Sequence, residues 1–303
     1  MLKRRLSKSP FFDLSPLSPL LRVHMLLTDS TKIITRDNIQ LLHIDNAFAS
    51  AEISLFGGHI LSFKPKYDGR ERLWVSQNAL FDGKKPIRGG IPICWPWFGG
   101  HSGNTDLPAH GYVRAQNWDI LNTDESDTGT TISLKPQTTV GEGFEGDAQL
   151  TLVVHVGQQL RIQLLTSNLG NTPFTFNCAL HSYFAIADIK HCELLGLTKQ
   201  YSDKTRSLQM FDTPQPYYFS EETDRVHIEQ PKTLSIIDKQ IKTRILSSGH
   251  DSIVVWNPWQ EKSCSMDDMA DDSYLTMLCV ETAVTQGQEV APQATHTLEQ
   301  VIK

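Results

Sequence analysis

The sequence predicts an all-β protein, a large antiparallel β-sandwich, and three observations support this fold class. First, apolar and polar residues alternate at Leu150, Leu152, Val154 and Val156, and the alternation resumes over 160–164 after a short turn. This is the pattern of a hairpin with one buried face. Second, short strand patterns recur along the chain between turn residues. Third, no long segment shows sustained 3.6-residue periodicity, so the chain lacks the βαβ alternation of a parallel sheet.

Other segments carry the same strand signal before and after this hairpin. In chain order they are 33–35, 41–44, 51–56, 60–63, 118–121, 131–134, 172–184, 234–237, 252–256 and 275–282. Turn residues such as those at 65–69 separate them. No internal repeat, low-complexity segment or linker is recognisable between residues 32 and 303. We therefore predict one domain over 28–303.

Residues 1–27 are predicted to form a disordered or loosely docked N-terminal extension. Basic residues at 3–5 resemble the start of a signal peptide, but Pro10, Pro16 and Pro19 interrupt the apolar segment that should follow. The recognisable strand pattern begins only near Lys32, so Met25 is an alternative start.

Composition and charge restrict the class of partner. The 303 residues are 39% hydrophobic, which is ample for a large core, and the formal net charge is -6. Such a chain offers no basic field for nucleic acid or an anionic membrane, so we expect neither as a partner. An anionic substrate would have to meet a local cluster of cations. The five cysteines contain no CxxC pair and lie mostly in apolar segments, which indicates reduced thiols and a cytoplasmic protein.

One acidic residue in an apolar strand is the clearest sign of chemistry. Glu281 follows LTMLCV at 275–280, and loss of hydration there raises the pKa of a carboxyl unless a cation compensates. A carboxylate of this kind is a candidate general base, and a structural carboxylate held by an arginine is the alternative. His181 occupies a second apolar segment, NCALHSYF at 177–184, and is the candidate partner acid.

The segment 82–118 is predicted to be a functional loop, because glycine and proline nearly exclude regular structure while large aromatic residues lie within it. Arg88 and Arg114 flank this loop. An arginine fork binds phosphate with two hydrogen bonds, although a tethering salt bridge is the alternative for each. His110 either contacts a ligand or anchors the loop.

Further candidates are weaker. Aromatic rings at Trp95, Trp97, Phe98, Trp256 and Trp259 suit flat sugar faces, although core packing is the commoner role. Asp203 is a loop carboxylate that could hold a sugar hydroxyl, whereas most loop aspartates cap turns. The chain has no GxSxG, Walker, Rossmann or HExxH motif, and no histidine pair stands at ligand spacing on a recognisable element, so we predict no metal site.

Six segments together resemble a known family. They are RGGIPICWPWFG at 88–99, LPAHGYVR at 107–114, ALHSYF at 179–184, GLTKQYSDK at 196–204, WNPW at 256–259 and CVE at 279–281. In this order they resemble the hexose-6-phosphate mutarotases, the glucose-6-phosphate 1-epimerases of the aldose 1-epimerase (galactose-mutarotase-like) superfamily. The likeness runs from about residue 32 to the C-terminus. One departure is Ala109, where some relatives have glutamine.

The resemblance implies a single β-supersandwich and a cofactor-free isomerase that interconverts α and β anomers. It implies that His181 is the acid that protonates the ring oxygen and that Glu281 is the base that takes the C1 hydroxyl proton. It assigns Arg88 and Arg114 to the phosphate and Asp203 to the sugar, with His110 as a further contact. The expected substrate is a small sugar phosphate, and we expect a monomer.

Two alternatives remain open from the sequence. A non-catalytic sugar-phosphate binding or regulatory protein would need the arginines and aromatics but not both His181 and Glu281. A mutarotase for neutral aldoses would need the acid and base without the arginines. Rates on glucose, galactose and their 6-phosphates would distinguish these functions.

Overall fold

The computed structural model describes residues 26–239 and 241–303. Most of the predicted N-terminal extension, residues 1–25, therefore lies outside the described residues. Leu26 and Leu27 are partly buried against the main core. The hydroxyl of Thr123 donates a hydrogen bond to the carbonyl of Leu26, so the chain is attached to the sandwich from residue 26 onward.

The described residues form twenty strands. The first ten are β1 (Thr31–Arg36), β2 (Ile39–Asp45), β3 (Ala49–Ser54), β4 (His59–Pro65), β5 (Ile93–Cys94), β6 (Trp118–Ser126), β7 (Gly129–Pro136), β8 (Ala148–Gly157), β9 (Leu160–Asn168) and β10 (Phe174–Leu180). The other ten are β11 (Tyr183–Ala185), β12 (Cys192–Leu195), β13 (Gln200–Asp203), β14 (Gln209–Asp212), β15 (Thr223–His227), β16 (Thr233–Asp238), β17 (Ile241–Ser248), β18 (Ser252–Asn257), β19 (Met277–Val290) and β20 (Thr295–Ile302).

The strands form three sheets, and every pair of neighbouring strands is antiparallel. A four-stranded sheet has the order β1-β2-β3-β4, and one eight-stranded sheet has the order β12-β16-β17-β20-β9-β8-β7-β6. The other eight-stranded sheet has the order β14-β13-β15-β18-β19-β10-β5, with β11 paired to β19. The predicted all-β antiparallel sandwich is confirmed, and the predicted hairpin at 150–164 is the β8–β9 pair.

Helices are few and short in the described part of the chain. The one α-helix is α1 (Trp259–Cys264), and 3₁₀ turns cover Val113–Ala115, Ile189–His191, Lys204–Arg206 and Ser273–Thr276. None of the helices within the described ranges is long and apolar enough to cross a membrane.

One apolar cluster joins residues from all three sheets, from Leu42 to Ile302. The inward residues of β8 predicted by alternation, Leu150, Leu152 and Val154, are at most 1% exposed and belong to it. This core buries one face of each sheet, as in a sandwich. The opposite face of the sheet that contains β19 is therefore the face available for a ligand.

Successive side chains of β19 point alternately to the core and to that second face. Leu278 and Val280 belong to the main core, whereas Cys279 packs in a smaller cluster with Tyr183 and Trp256 on the other face. Side chains alternate along a strand, so Glu281 lies on the same face as Cys279. The strand is buried on both sides at this point, which explains why its sequence is almost continuously apolar.

A buried polar network links the two large sheets behind this point. The hydroxyl of Ser182 donates to Gln300 Oε1 at 2.6 Å, and Gln300 Nε2 donates to the hydroxyl of Thr282 at 2.8 Å. All three residues are fully buried. Ser182 and Thr282 directly follow His181 and Glu281 in sequence, so one glutamine from β20 constrains the positions of both neighbours.

The first prediction concerns this glutamine. Gln300→Leu should lower the free energy of unfolding by about 1–3 kcal/mol, because the Ser182 and Thr282 hydroxyls lose a buried partner. Urea unfolding measures the change. Gln286→Leu is the matched control, since Gln286 is exposed on β19, and it should stay within about 0.5 kcal/mol of the parent protein. Equal effects of the two substitutions would contradict the role of the network.

Candidate active site

A cavity of about 260 Å³ opens on the second face of the β19 sheet. It combines titratable and cationic side chains with aromatic surface, whereas the main core beneath is apolar. Its lining residues are Arg88, Phe98, His110, Arg114, His181, Tyr183, Lys204, Asp224, Val254, Trp256, Lys262, Met266 and Glu281. The structure thus brings together five of the six residues predicted for the site: His181, Glu281, Arg88, Arg114 and His110.

His181 and Glu281 face each other in this cavity. His181 lies at the break between β10 and β11, where its backbone N–H bonds to the carbonyl of Pro92 at 3.1 Å. Its ring stacks on Tyr183 with centroids 5.0 Å apart, and its Nδ1 lies 3.3 Å from Glu281 Oε1. The predicted continuous strand over 172–184 is therefore interrupted at 181–182, and this interruption turns the imidazole toward β19.

Burial controls the charge of the pair. Glu281 is 1% exposed, and desolvation raises the pKa of its carboxyl well above the ordinary value, with Lys204 opposing the shift. Desolvation also lowers the pKa of His181 well below its ordinary value, and the nearby His110 and Arg114 add to that shift. Both shifts favour the uncharged forms, a neutral imidazole beside a protonated carboxyl, and moving that one carboxyl proton to the imidazole gives the ion pair. Glu281 Oε2 is buried with no hydrogen-bond partner among the described residues, so it is available as an acceptor.

Arg88 and Arg114 approach the cavity from the glycine-rich loop. Arg88 Nε donates to both carboxylate oxygens of Asp268 at 3.1 Å, and its Nη1 donates to the hydroxyl of Tyr183 at 3.1 Å. Burial alone would lower the pKa of Arg88, but Tyr183 and Asp268 outweigh it and raise that pKa, so the charge is permanent. Arg114 Nη2 donates to the carbonyl of Ala109 at 2.8 Å.

Two lysines add to the positive charge of the same cavity. Lys204 Nζ lies 3.3 Å from Asp224 and 5.2 Å from the centroid of the Phe98 ring. Lys262 Nζ lies 2.7 Å from Glu222, which is outside the lining. Four cations and two carboxylates, Asp224 and Glu281, thus line the cavity of a chain that carries -6. Two further carboxylates outside the lining, Asp268 and Glu222, pair with Arg88 and Lys262. The local cationic cluster that an anionic substrate would require is present here.

His110 is held by the loop in a neutral form. Its backbone adopts a left-handed conformation with φ of +66°, and Gly99 N–H donates to its Nδ1 at 3.3 Å. Burial, followed by the nearby Arg114 and Lys204 charges, lowers the pKa of His110 to about 3. Because Nδ1 accepts a hydrogen bond, the ring proton is on Nε2, and that N–H is the donor the cavity can use.

A glycine allows this loop to fold onto its neighbour. Gly111 has φ of +74°, and a Cβ there would lie 1.9 Å from the carbonyl oxygen of Trp95. The aromatic residues of the loop divide between two roles. Trp95 is fully buried in the main core and Trp97 Nε1 donates to the Pro108 carbonyl, whereas Phe98 lines the cavity. Trp256 also lines the cavity, and Trp259 packs against Tyr274 with ring centroids 5.2 Å apart.

The prediction for Asp203 needs correction. Asp203 is 1% exposed and does not line the cavity; it accepts hydrogen bonds from the N–H and hydroxyl of Thr205 at 2.9 and 2.6 Å. Its Oδ2 also lies 3.5 Å from Arg225 Nε. It therefore caps a 3₁₀ turn and pairs with an arginine, while the next residue, Lys204, reaches the cavity.

Asp224 is the aspartate that lines the site, and the sequence analysis missed it. It lies on β15 opposite Trp256 of β18, and burial raises the pKa of its carboxyl against the effect of Lys204. Residues 223–227 read TDRVH, which contains one apolar residue and no alternation, so no strand signal was present there. Without a recognised strand there, the face of each side chain could not be assigned.

The chain is similar to known proteins over most of its length. The sequence profile of the family "Aldose 1-epimerase" matches residues 40–303. A protein of Escherichia coli (strain K12) named "Putative glucose-6-phosphate 1-epimerase" is 34% identical over 276 residues, which cover 88% of this chain and 91% of that protein. A protein of the same name from Cenchrus ciliaris is 34% identical over 252 residues, covering 78% of this chain and 75% of that protein.

A solved structure has the same architecture. The crystal structure of a protein from Salmonella typhimurium described as "a putative mutarotase (YeaD)" superposes with a TM-score of 0.84 at 30% sequence identity. The match covers 93% of this chain and 98% of that chain. The profile match spans most of the chain, and the Escherichia coli relative is 34% identical over 88% of the chain. The chain therefore belongs to the aldose 1-epimerase family, and it is an isomerase of the mutarotase type.

Proposed function

We propose that the protein interconverts the α and β anomers of a hexose 6-phosphate, with His181 and Glu281 as the acid–base pair. One observation carries the proposal: the contacting pair and four cations line the same cavity. The pair alone would suit any aldose. The added cations favour a substrate with a phosphate, in accord with the names of the curated relatives.

The reaction opens and recloses a hemiacetal. His181 donates a proton from Nε2 to the ring oxygen, and Glu281 takes the proton of the C1 hydroxyl through Oε2. The bond between C1 and the ring oxygen breaks as the C1 carbonyl forms. After rotation about C1–C2, the hydroxyl that was the ring oxygen attacks the other face of the carbonyl. Glu281 then returns its proton to the carbonyl oxygen, and His181 recovers its own.

The shared proton explains how the buried pair serves both steps. Ring opening needs His181 as imidazolium and Glu281 as carboxylate, and this ion pair carries the same number of protons as a neutral imidazole beside a protonated carboxyl. Nδ1 and Oε1 lie 3.3 Å apart, so the opposite charges of the ion-pair form stabilise each other. Lys204 and Arg114 stabilise the carboxylate form of Glu281.

The cations act at the other end of the substrate. Arg114 and Arg88 bind the phosphate through charge-assisted hydrogen bonds, which are stronger than neutral ones. Binding energy gained there, away from C1, holds the reacting atoms against the pair. Asp224 and the neutral His110 supply an acceptor and a donor for sugar hydroxyls.

Replacing either member of the pair should abolish most of the activity. Glu281→Gln and His181→Asn should each lower kcat by about 10²–10⁴-fold, because each removes one proton transfer. The double variant should lose little more than the stronger single variant, since the residues act as a unit. Polarimetry of freshly dissolved anomers measures the rate. Glu289→Gln, at an exposed position on β19, is the matched control and should retain normal turnover.

Phosphate recognition can be separated from catalysis. Arg114→Leu should raise KM for glucose 6-phosphate by about 10–100-fold, because a charge-assisted hydrogen bond contributes about 1.5–3 kcal/mol. The rate on free glucose, which has no phosphate, should fall less, because there only the charge effect of Arg114 on His181 and Glu281 is lost. Arg161→Leu removes a half-exposed arginine paired to Glu299 on the other large sheet and serves as the control. Equal losses on glucose and glucose 6-phosphate would exclude a phosphate contact.

The neutral state of His110 has a measurable consequence for stability. Its folded pKa of about 3 lies below the unfolded value near 6.5, so the folded protein binds fewer protons and the stabilisation is lost as pH falls through the unfolded pKa. Between pH 7 and 5.5 this costs about 1 kcal/mol of unfolding free energy. Urea unfolding of wild type and His110→Asn at both pH values isolates the effect, because other titrating groups cancel in the difference. An identical pH dependence of the two proteins would show that His110 is protonated normally.

A further inference from the structure

A third ligating side chain lies beside the acid–base pair. Cys279 precedes Glu281 by two residues on β19, so the two side chains lie on the same face of the sheet. One nitrogen of His181, the sulfur of Cys279 and one carboxylate oxygen of Glu281 all lie within 4.8 Å of one another. The sulfur belongs to a fully buried residue beneath the cavity, whereas the histidine and the glutamate line it.

Two atoms of this cluster are buried without partners. Within the described residues, neither His181 Nδ1 nor Glu281 Oε2 has a hydrogen-bond partner, and Glu281 is 1% exposed. An unsatisfied buried polar atom costs about 1–3 kcal/mol, so a group that binds both lone pairs is favoured there. The proton shuttle assigned above needs such unoccupied lone pairs, and the same property makes them available to a cation.

The donor set selects a class of cation. Imidazole nitrogen, thiolate sulfur and carboxylate oxygen together are the ligands of zinc and similar borderline-soft ions, whereas magnesium and calcium prefer oxygen alone. One thiolate and one carboxylate balance a divalent charge, so a buried complex would be neutral. Three protein ligands with a fourth position toward an open cavity is the arrangement of an accessible zinc site.

From these observations we infer that His181, Cys279 and Glu281 form a binding site for a thiophilic divalent cation, zinc or cadmium, whose occupancy excludes the sugar. This inference rests on the proposed function only for its effect on rate, because an ion held by His181 and Glu281 prevents both residues from transferring protons. The site is therefore inhibitory. The ion and the hexose 6-phosphate compete for one cavity.

Direct binding and inhibition can be measured separately. The protein is first treated with a chelator and desalted, and Co²⁺ is then added, since a cobalt–thiolate bond gives a charge-transfer absorption band in the near ultraviolet. We expect one Co²⁺ per chain with this band, displaced by Zn²⁺. In the polarimetric assay, Zn²⁺ should inhibit reversibly, should be relieved by chelator, and should become less effective as glucose 6-phosphate increases.

Cys279→Ser tests the sulfur, and Cys94→Ser is the matched control because Cys94 is equally buried, in a neighbouring cluster on the same sheet. Each variant is compared with its own metal-free rate. Cys279→Ser should lose the absorption band and raise the half-inhibiting Zn²⁺ concentration by more than about tenfold, the scale on which even outer-shell partners act. Cys94→Ser should keep both properties of the wild type.

The outcomes distinguish this inference from the proposed function. Absence of the thiolate band in wild type, or its survival in Cys279→Ser, overturns the metal site whatever the activity. If Cys279→Ser does not fold, His181→Asn takes its place. Loss of the absorption band in His181→Asn, with the band kept in Cys94→Ser, supports the metal site. A band that persists in His181→Asn overturns it. A band without any epimerase activity would support the metal site while refuting the proposed function.

Discussion

The contact between His181 and Glu281 is the constraint on which the rest of the site depends. Two ionisable groups at 3.3 Å in a nearly dry setting cannot both gain a proton or both lose one without a large cost in solvation free energy. In the proposed reaction one of them acts as the acid and the other as the base. The burial that shifts both pKa values requires β19 to be packed on both faces. On the core side, Leu278 and Val280 provide this packing.

The His181–Glu281 pair and the four cations of the cavity come from different kinds of chain segment. The pair comes from the centre of a sheet, β19 and the β10–β11 break, where backbone pairing fixes positions. The cations come from loops and short elements: Arg88 and Arg114 from the glycine-rich segment, Lys204 from a 3₁₀ turn and Lys262 from α1. A net charge of -6 on the chain does not oppose an anionic ligand, because the field at short range is set by these four residues.

The sequence predicted the fold class and singled out His181 and Glu281, which meet in one cavity, because burial leaves a local signature. A carboxylate in an apolar strand and an imidazole in another stand out without any knowledge of pairing. Asp203 and Asp224 show the limit: the choice between them depends on which face of β13 and β15 meets the cavity, and strand register is a non-local property. The place of Lys262 in the cavity could not be predicted either, since its helix is only six residues long. The monomeric state, the cytoplasmic location and the single domain stay predictions.

The polar network behind the pair explains how substrate preference can vary while the reaction stays the same. Gln300 of β20 bonds to Ser182 and Thr282, the residues that directly follow His181 and Glu281, so the opposing sheet fixes their separation from the side away from the ligand. None of these three network residues lines the cavity. Changes in the loops that carry the cations can therefore alter which sugar binds without moving the two groups that transfer protons. In this arrangement the contact between the two large sheets fixes His181 and Glu281, while the loops around the cavity carry the cations.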